Sequence, residues 1–274
     1  MQPGKRMRKF ISKPTSMKKI LCTLAVSLLV LGATAQTRVV AHRGYHAKKG
    51  SAENTVSSLR NAQKLGVYGM EFDVNLTADD SLIVFHGPWH RTIDNRRIHV
   101  QRSNYRDIVA NPVENGQQIP TLREFFRQGQ KDTHTLLILE VKKHATPERE
   151  TQVVEAIVAL VREMGVEDHT EYLSFSQHIC RELMRLQPGA KVTYVNGDLT
   201  PDQLKEQGYA GLSYNLNVLM NRPQWIERAH ELGLEVTLWM TNQPDIVEWG
   251  VRHGVDFVST DDPVMAKETI RKCR

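Results

Sequence analysis

The sequence is poor in cysteine, in long apolar runs and in net charge. Three cysteines occur in 274 residues, and Cys22 falls inside an N-terminal apolar stretch, which leaves Cys180 and Cys273. Two cysteines make no disulfide framework, so the small stapled domains of the extracellular space are excluded, although the pair could bond outside the cytoplasm. The apolar stretch Ile20 to Leu31 is shorter than the roughly 20 residues that cross a bilayer, and no stable membrane anchor is expected. Gly/Ser-rich or Pro-rich linkers, internal repeats and low-complexity segments are missing, which speaks against an array of domains. The formal charge of +5 comes from 36 Lys and Arg against 31 Asp and Glu, but seven of the bases and none of the acids lie in residues 1–35. The remainder carries 29 bases and 31 acids, a charge of −2, so nucleic acid is not an expected partner.

Residues 1–35 read as an N-terminal extension and a secretory signal. Met17-Lys18-Lys19, the apolar run and Ala33-Thr34-Ala35 supply the basic region, apolar core and A-x-A site of such a signal. Cleavage is expected after Ala35, and Met17 is the expected start, since the basic and polar residues before it are out of place ahead of a signal. The mature protein is then periplasmic or secreted, and residues 36–274 form one domain.

What is present is a regular alternation of strand-like and helix-like stretches, the pattern of parallel α/β folds. Strands are expected at Arg38 to His42, around Met70, at Thr135 to Val141, Tyr172 to Phe175, Lys191 to Val195, Gly211 to Tyr214, Glu235 to Met240 and Asp256 to Ser259. Helices are expected at Asn54 to Leu65 and Pro147 to Met164, with later ones starting near Ser176, Pro201, Pro223, Pro244 and Pro263. Eight parallel strands with helical returns close into a single (β/α)8 TIM barrel. Residues 88–131 fit the alternation worst and should hold loops with short helices near Tyr105 and Thr121.

One stretch stands apart. Glu71 and Asp73, two residues apart in an apolar strand, point to one face. The turn formers Thr77 to Ser81 follow, and then an apolar run that ends in His86. The connection is too short for a parallel crossover, so a β-hairpin after the second parallel strand is expected, with Val74 facing Val84 and Phe72 facing His86. In a barrel, the C-terminal strand ends build the active site. There stand His42 and Arg43, Glu71 and Asp73, and Glu140 and Lys142, with His86 returned by the hairpin, Trp239 near the end of the seventh strand, and Asp261 and Asp262 after the eighth. Three carboxylates suit Ca²⁺ or Mg²⁺. An Arg beside such an ion suits a phosphodiester oxygen, and two histidines can divide the roles of base and acid. Asn54 reads as a helix cap, Asp261 and Asp262 as the start of the last helix, and His46, His90 and His99 as surface loop residues. Trp239 is either barrel packing or a wall for the substrate.

These residues resemble the glycerophosphodiester phosphodiesterase family. The resemblance rests on AHRG at 41–44, AENT at 52–55, EFDVNLTADD at 71–80, IPTLREFF at 119–126, LEVK at 139–142, TLWMTNQPD at 237–245 and VDFVSTDDP at 255–263, which run the length of the mature chain in order. It implies a barrel enzyme that releases glycerol 3-phosphate and an alcohol from a small glycerophosphodiester. His42 and His86 would be its acid/base pair, Glu71, Asp73 and Glu140 its metal ligands, and Arg43 and Lys142 its phosphate contacts. It also implies attack by the substrate's own 2-hydroxyl through a cyclic intermediate, with no protein nucleophile. The chain departs from the family at His86-Gly87-Pro88, where His-Asp is usual. His-Gly-Pro is similar to phosphatidylinositol-specific phospholipases C, so a phospholipase or sphingomyelinase-like lyase on the same barrel is one rival reading. Such an enzyme needs an exposed apolar rim or an amphipathic anchor, and the sequence shows no clear one beyond the pair Pro88-Trp89. A barrel that binds a phospho-ligand without turnover is the other.

Overall fold

Local caps set where each element begins and ends. The computed structural model describes Met1 and residues 36–274, so the expected signal, its start at Met17 and its cleavage site lie outside the described residues. Strand β1 is Arg38–Ala41, helix α1 Val56–Leu65 and strand β2 Gly69–Leu76. Thr55, not Asn54, caps α1: its hydroxyl accepts from the Ser58 N–H, and the Ser58 hydroxyl accepts from the Thr55 N–H. The hairpin partner β3 is Leu82–Val84, and a second, separate hairpin pairs β4 (Trp89–Arg91) with β5 (Arg97–His99). Short helices α2 (Tyr105–Val109) and α3 (Leu122–Gly129) follow at the two expected places.

The rest of the chain alternates as its pattern requires. It runs β6 (Leu136–Val141), α4 (Pro147–Met164), β7 (Thr170–Ser174), α5 (Gln177–Leu186), β8 (Val192–Tyr194), α6 (Pro201–Glu206) and β9 (Gly211–Asn215). It closes with α7 (Leu216–Asn221), α8 (Gln224–Glu231), β10 (Glu235–Trp239), α9 (Pro244–Arg252), β11 (Phe257–Thr260) and α10 (Pro263–Lys272). Proline sits in the first turn of α4, α6, α9 and α10, where its missing N–H costs nothing.

Strands β1, β2, β6, β7, β8, β9, β10 and β11 pair in parallel around a closed ring, which is the (β/α)8 barrel the sequence implies. Strand β2 spans 8 residues against 4 for β1, so only Gly69 and Met70 pair with β1. Above them β2 overhangs its neighbour, and β3 takes over that edge with Val74 opposite Val84, the register expected from the turn. The overhang lifts β2 towards the mouth.

Side chains alternate across β2. Met70, Phe72 and Val74 face the helices in the main hydrophobic core, with the Phe72 ring 4.5 Å from Phe125. Glu71 and Asp73 face the barrel interior. At the opposite, N-terminal end the interior is stoppered by Tyr68 stacked on Phe257 at 4.5 Å, with the Arg38 guanidinium 4.0 Å from the Tyr68 ring. Beside them Lys191 pairs with Glu171 and Glu235. Cys180 is buried, Cys273 is exposed, and both are free.

Two histidines serve the fold. His90, expected at the surface, is buried, and its Nε2 lies 2.8 Å from the Asn111 carbonyl. His144 stitches the top of β2 to the end of β6: its Nε2 accepts from the Leu76 N–H at 3.2 Å, and its Nδ1 donates to the Lys142 carbonyl at 2.8 Å. This pattern requires the neutral ring, and burial lowers its pKa below the usual 6.5. A histidine depressed in the folded state stabilises fully above its unfolded pKa, and the contribution is lost as pH falls through 6.5 towards the folded value. His144→Gln should therefore remove part of the drop in thermal midpoint between about pH 7.5 and about pH 5.5. Identical slopes for the two proteins, measured by circular dichroism melts, would refute this role.

Candidate active site

The site is assembled from strand ends and the turns that follow them. After β1 the chain reverses at His42-Arg43-Gly44, with Arg43 at φ 51 and Gly44 at φ 83. A Cβ on Gly44 would stand 2.6 Å from Ser58 Oγ and 2.8 Å from Met70 Cε, so both space and backbone demand glycine. The turn brings the Arg43 N–H to Glu71 Oε2 at 3.0 Å. Strands β2 and β6 pair with Asp73 beside Glu140. Oxygens of Glu71, Asp73 and Glu140 thereby lie within 4.8 Å of one another, and all three residues are buried.

Three carboxylates this close repel, and their surroundings show how they are held. Lys142 Nζ reaches Glu140 Oε1 at 2.5 Å and Asp73 Oδ1 at 3.2 Å. Arg43 Nε stands 3.6 Å from Asp73 Oδ2, and its Nη1 binds Glu53 at 2.7 Å. Asn54, at φ 57, grips Asp73 twice: its Nδ2 donates to Oδ2 at 2.8 Å, and its Oδ1 accepts from the Asp73 N–H at 3.1 Å. Burial and then the charge of Asp73 push Glu71 well above the usual carboxylate range and Glu140 up to about 7. For Asp73 burial acts upward too, but Lys142, His86, Asn54 and Arg43 outweigh it and lower the pKa. Buried Glu71 Oε1 has no hydrogen-bond partner among the described residues. An orphaned carboxylate oxygen beside two other hard oxygen donors fits a divalent cation, and Glu71, Asp73 and Glu140 are the residues that could hold one.

The two histidines of the mouth live in opposite surroundings. His42 Nδ1 lies 2.7 Å from Asp261 Oδ1, and its Nε2 lies 3.9 Å from Glu71. Asp261 is in turn bound by Asn242 Nδ2 at 2.7 Å and approached by His46 Nε2 at 3.3 Å. These contacts overcome the effect of burial and hold its carboxyl far below the usual range. His86 makes no hydrogen bond among the described residues, and burial lowers its pKa, with Lys142 and Arg43 adding to the effect against the pull of Asp73.

A cavity of about 170 Å³ opens between them, lined by His42, Arg43, Glu71, His86, Glu140 and Lys142 on one side. Phe175 and Trp239, edge to face at 6.0 Å, form part of the other, and Trp239 Nε1 is tied to the Ser213 carbonyl at 2.8 Å. Asp73 sits just behind the wall. The eight residues singled out in the sequence thus meet in one place. Asn54, expected only to cap a helix, Asp261, expected at the mouth as part of a helix start, and His46, expected at the surface, all reach the site or its support. Thr55 and Asp262 do the capping instead.

The family described as "Glycerophosphoryl diester phosphodiesterase family" matches residues 42–265. The glycerophosphodiester phosphodiesterase of Caldanaerobacter subterraneus subsp. tengcongensis is 28% identical over 256 residues, covering 86% of this chain and 99% of that protein. The crystal structure of a glycerophosphodiester phosphodiesterase from Parabacteroides distasonis is similar with a TM-score of 0.82 and 37% identity, over 87% of this chain and 98% of that one. An Oleispira antarctica phosphodiesterase, determined in complex with the product sn-glycerol-3-phosphate, shares the fold at a TM-score of 0.76 and 22% identity, over 86% of this chain and 97% of that one.

Asn54 fixes the buried carboxylate from two directions, so Asn54→Ala should weaken divalent cation binding about 10- to 100-fold in titration calorimetry. Unchanged affinity would show that the carboxylates keep their arrangement without it.

Proposed function

The chain belongs to the glycerophosphoryl diester phosphodiesterase family, and on that premise we propose that it is a metal-dependent enzyme that splits glycerophosphodiesters into glycerol 3-phosphate and an alcohol, with two histidines sharing the proton transfers. One observation carries the reading: a buried trio of carboxylates with a free oxygen adjoins the same small cavity as two imidazoles in contrasting electrostatic surroundings. The product complex of the Oleispira antarctica relative supports a small phosphorylated ligand of this class.

Glu71, Asp73 and Glu140 would hold one Ca²⁺ or Mg²⁺, which when bound supplies positive charge for a phosphodiester oxygen. Arg43 and Lys142, already tethered to the carboxylates, present further donors to the phosphate. His86 is kept neutral by burial and by its cationic neighbours. It therefore takes the proton of the attacking hydroxyl, in this reading the substrate's own 2-hydroxyl. His42 has Asp261 at its Nδ1 and Glu71 on the side of its Nε2, so the ring is held with Nε2 placed to deliver a proton to the leaving oxygen. No protein nucleophile is needed, and the work of the site is positioning and proton transfer. Trp239 and Phe175 form an apolar wall that shields the glycerol or head group from water. The basic, apolar and small-residue pattern of residues 17–35 supports a periplasmic or secreted place of action.

Purified protein should release glycerol 3-phosphate from glycerophosphocholine and glycerophosphoinositol and stop when a chelator is added. Glu71→Ala should lose bound metal and activity together. His86→Ala should keep its metal, measured by elemental analysis, while its rate falls about 10²- to 10⁴-fold. Equal metal loss in both variants would overturn the division of roles. Turnover confined to phosphatidylinositol vesicles would overturn the substrate assignment.

A further inference from the structure

Beyond Met1, three large hydrophobic side chains are exposed among the described residues, and two of them lie on the β4–β5 hairpin: Trp89 at 46% and Ile93 at 78%. The inner face of the hairpin is accounted for. Ile98 packs against a satellite core of Ile83, Val100, Ile108 and Ile119, and His90 is buried beside Phe85. The outer face is not, since the strand alternation turns Trp89 and Arg91 outward, with Arg97 opposite Arg91.

Two arginines opposite each other across an antiparallel pair repel, an arrangement that a hairpin selected for folding alone would avoid. Arg91 and Arg97 have no carboxylate within salt-bridge distance among the described residues. Arg96, by contrast, is paired with Asp94 at 2.6 Å. The Arg97 guanidinium lies 4.7 Å from the Trp89 ring. Together these residues present a flat aromatic ring, a protruding Ile at the hairpin tip and two uncompensated positive charges. Arginine complements anions, while Trp and Ile gain by entering an apolar phase, and a surface offering both in layers is a phospholipid bilayer with acidic head groups.

We infer that the outer face of the β4–β5 hairpin docks this protein reversibly on an anionic phospholipid surface. The hairpin begins at Trp89, three residues after His86, so docking sets the mouth of the barrel beside the lipid–water boundary. No helix among the described residues is long and apolar enough to cross a membrane, and the docking inferred for the hairpin is a surface contact. The docking face is separate from the reaction assigned above, and its test reads binding, not turnover.

The test is sedimentation of the full chain with vesicles of phosphatidylcholine alone and of phosphatidylcholine mixed with phosphatidylglycerol, at low and high salt. Binding is expected to the acidic vesicles only and to weaken as salt rises. Arg91→Glu/Arg97→Glu should lower the partition coefficient at least roughly 20-fold, at about fivefold per arginine, and Trp89→Ala/Ile93→Ser roughly tenfold. Comparing variants in the same full chain separates the hairpin from the basic N-terminal segment. Circular dichroism melts confirm that each variant folds, and Trp89→Phe/Ile93→Leu should restore most binding. Partition that is unchanged in both double variants, or equal on neutral and acidic vesicles, overturns the proposal. So does binding to duplex DNA as tight as to acidic vesicles at the same phosphate concentration, since that would mark a general polyanion site.

Discussion

Everything near the mouth of this barrel answers to the repulsion among three buried carboxylates. Glu71, Asp73 and Glu140 are placed together by strand register, which leaves them no freedom to move apart. The surrounding structure relieves the strain in three ways. The Arg43 N–H binds Glu71, Lys142 bridges Glu140 and Asp73, and Asn54 holds Asp73 by two hydrogen bonds. What these contacts leave uncompensated shows in the raised pKa of Glu71 and Glu140. A doubly charged ion held by these three carboxylates could supply the positive charge that the contacts do not.

The same economy of contacts separates the two imidazoles. His42 sees a carboxylate on each ring nitrogen's side, while His86 is half-buried with Asp73, Lys142 and Arg43 acting on it in opposite directions, and makes no hydrogen bond among the described residues. Chemically identical side chains become unequal because one follows β1, next to the final strand and its Asp261, and the other arrives by a hairpin from β3. Topology, more than residue type, gives the two rings their different surroundings.

Strand order, the hairpin register and the barrel were legible because each rests on a periodic signal repeated along the chain. Val74 opposite Val84 followed from counting across a turn. Asp261 could be placed at the mouth, but the supporting roles of Asn54 and Asp261 were not legible, and for one reason. Each stands immediately before another residue able to cap a helix, Thr55 in one case and Asp262 in the other. A helix start needs one cap, so the pair held a spare: two capping residues side by side were the available signal. His46 gave no such sign, since its approach to Asp261 spans 215 positions. Of the outer face of the β4–β5 hairpin only Trp89 was legible, as part of the Pro88-Trp89 pair, because alternation over three-residue strands is too short to register.

Strand β2 is buried at all eight of its positions, with one face in the hydrophobic core and the other turned to the barrel interior. A slip of one residue would send Glu71 and Asp73 into the helices and Phe72 and Val74 into the cavity. Such a chain would not be a slower catalyst but an unfolded one, because buried charge among apolar helices costs more than a small domain can spare. Folding therefore proofreads the chemistry: molecules that pass the stability threshold already carry their carboxylates in line, and errors of alignment leave the population before they can reach a substrate.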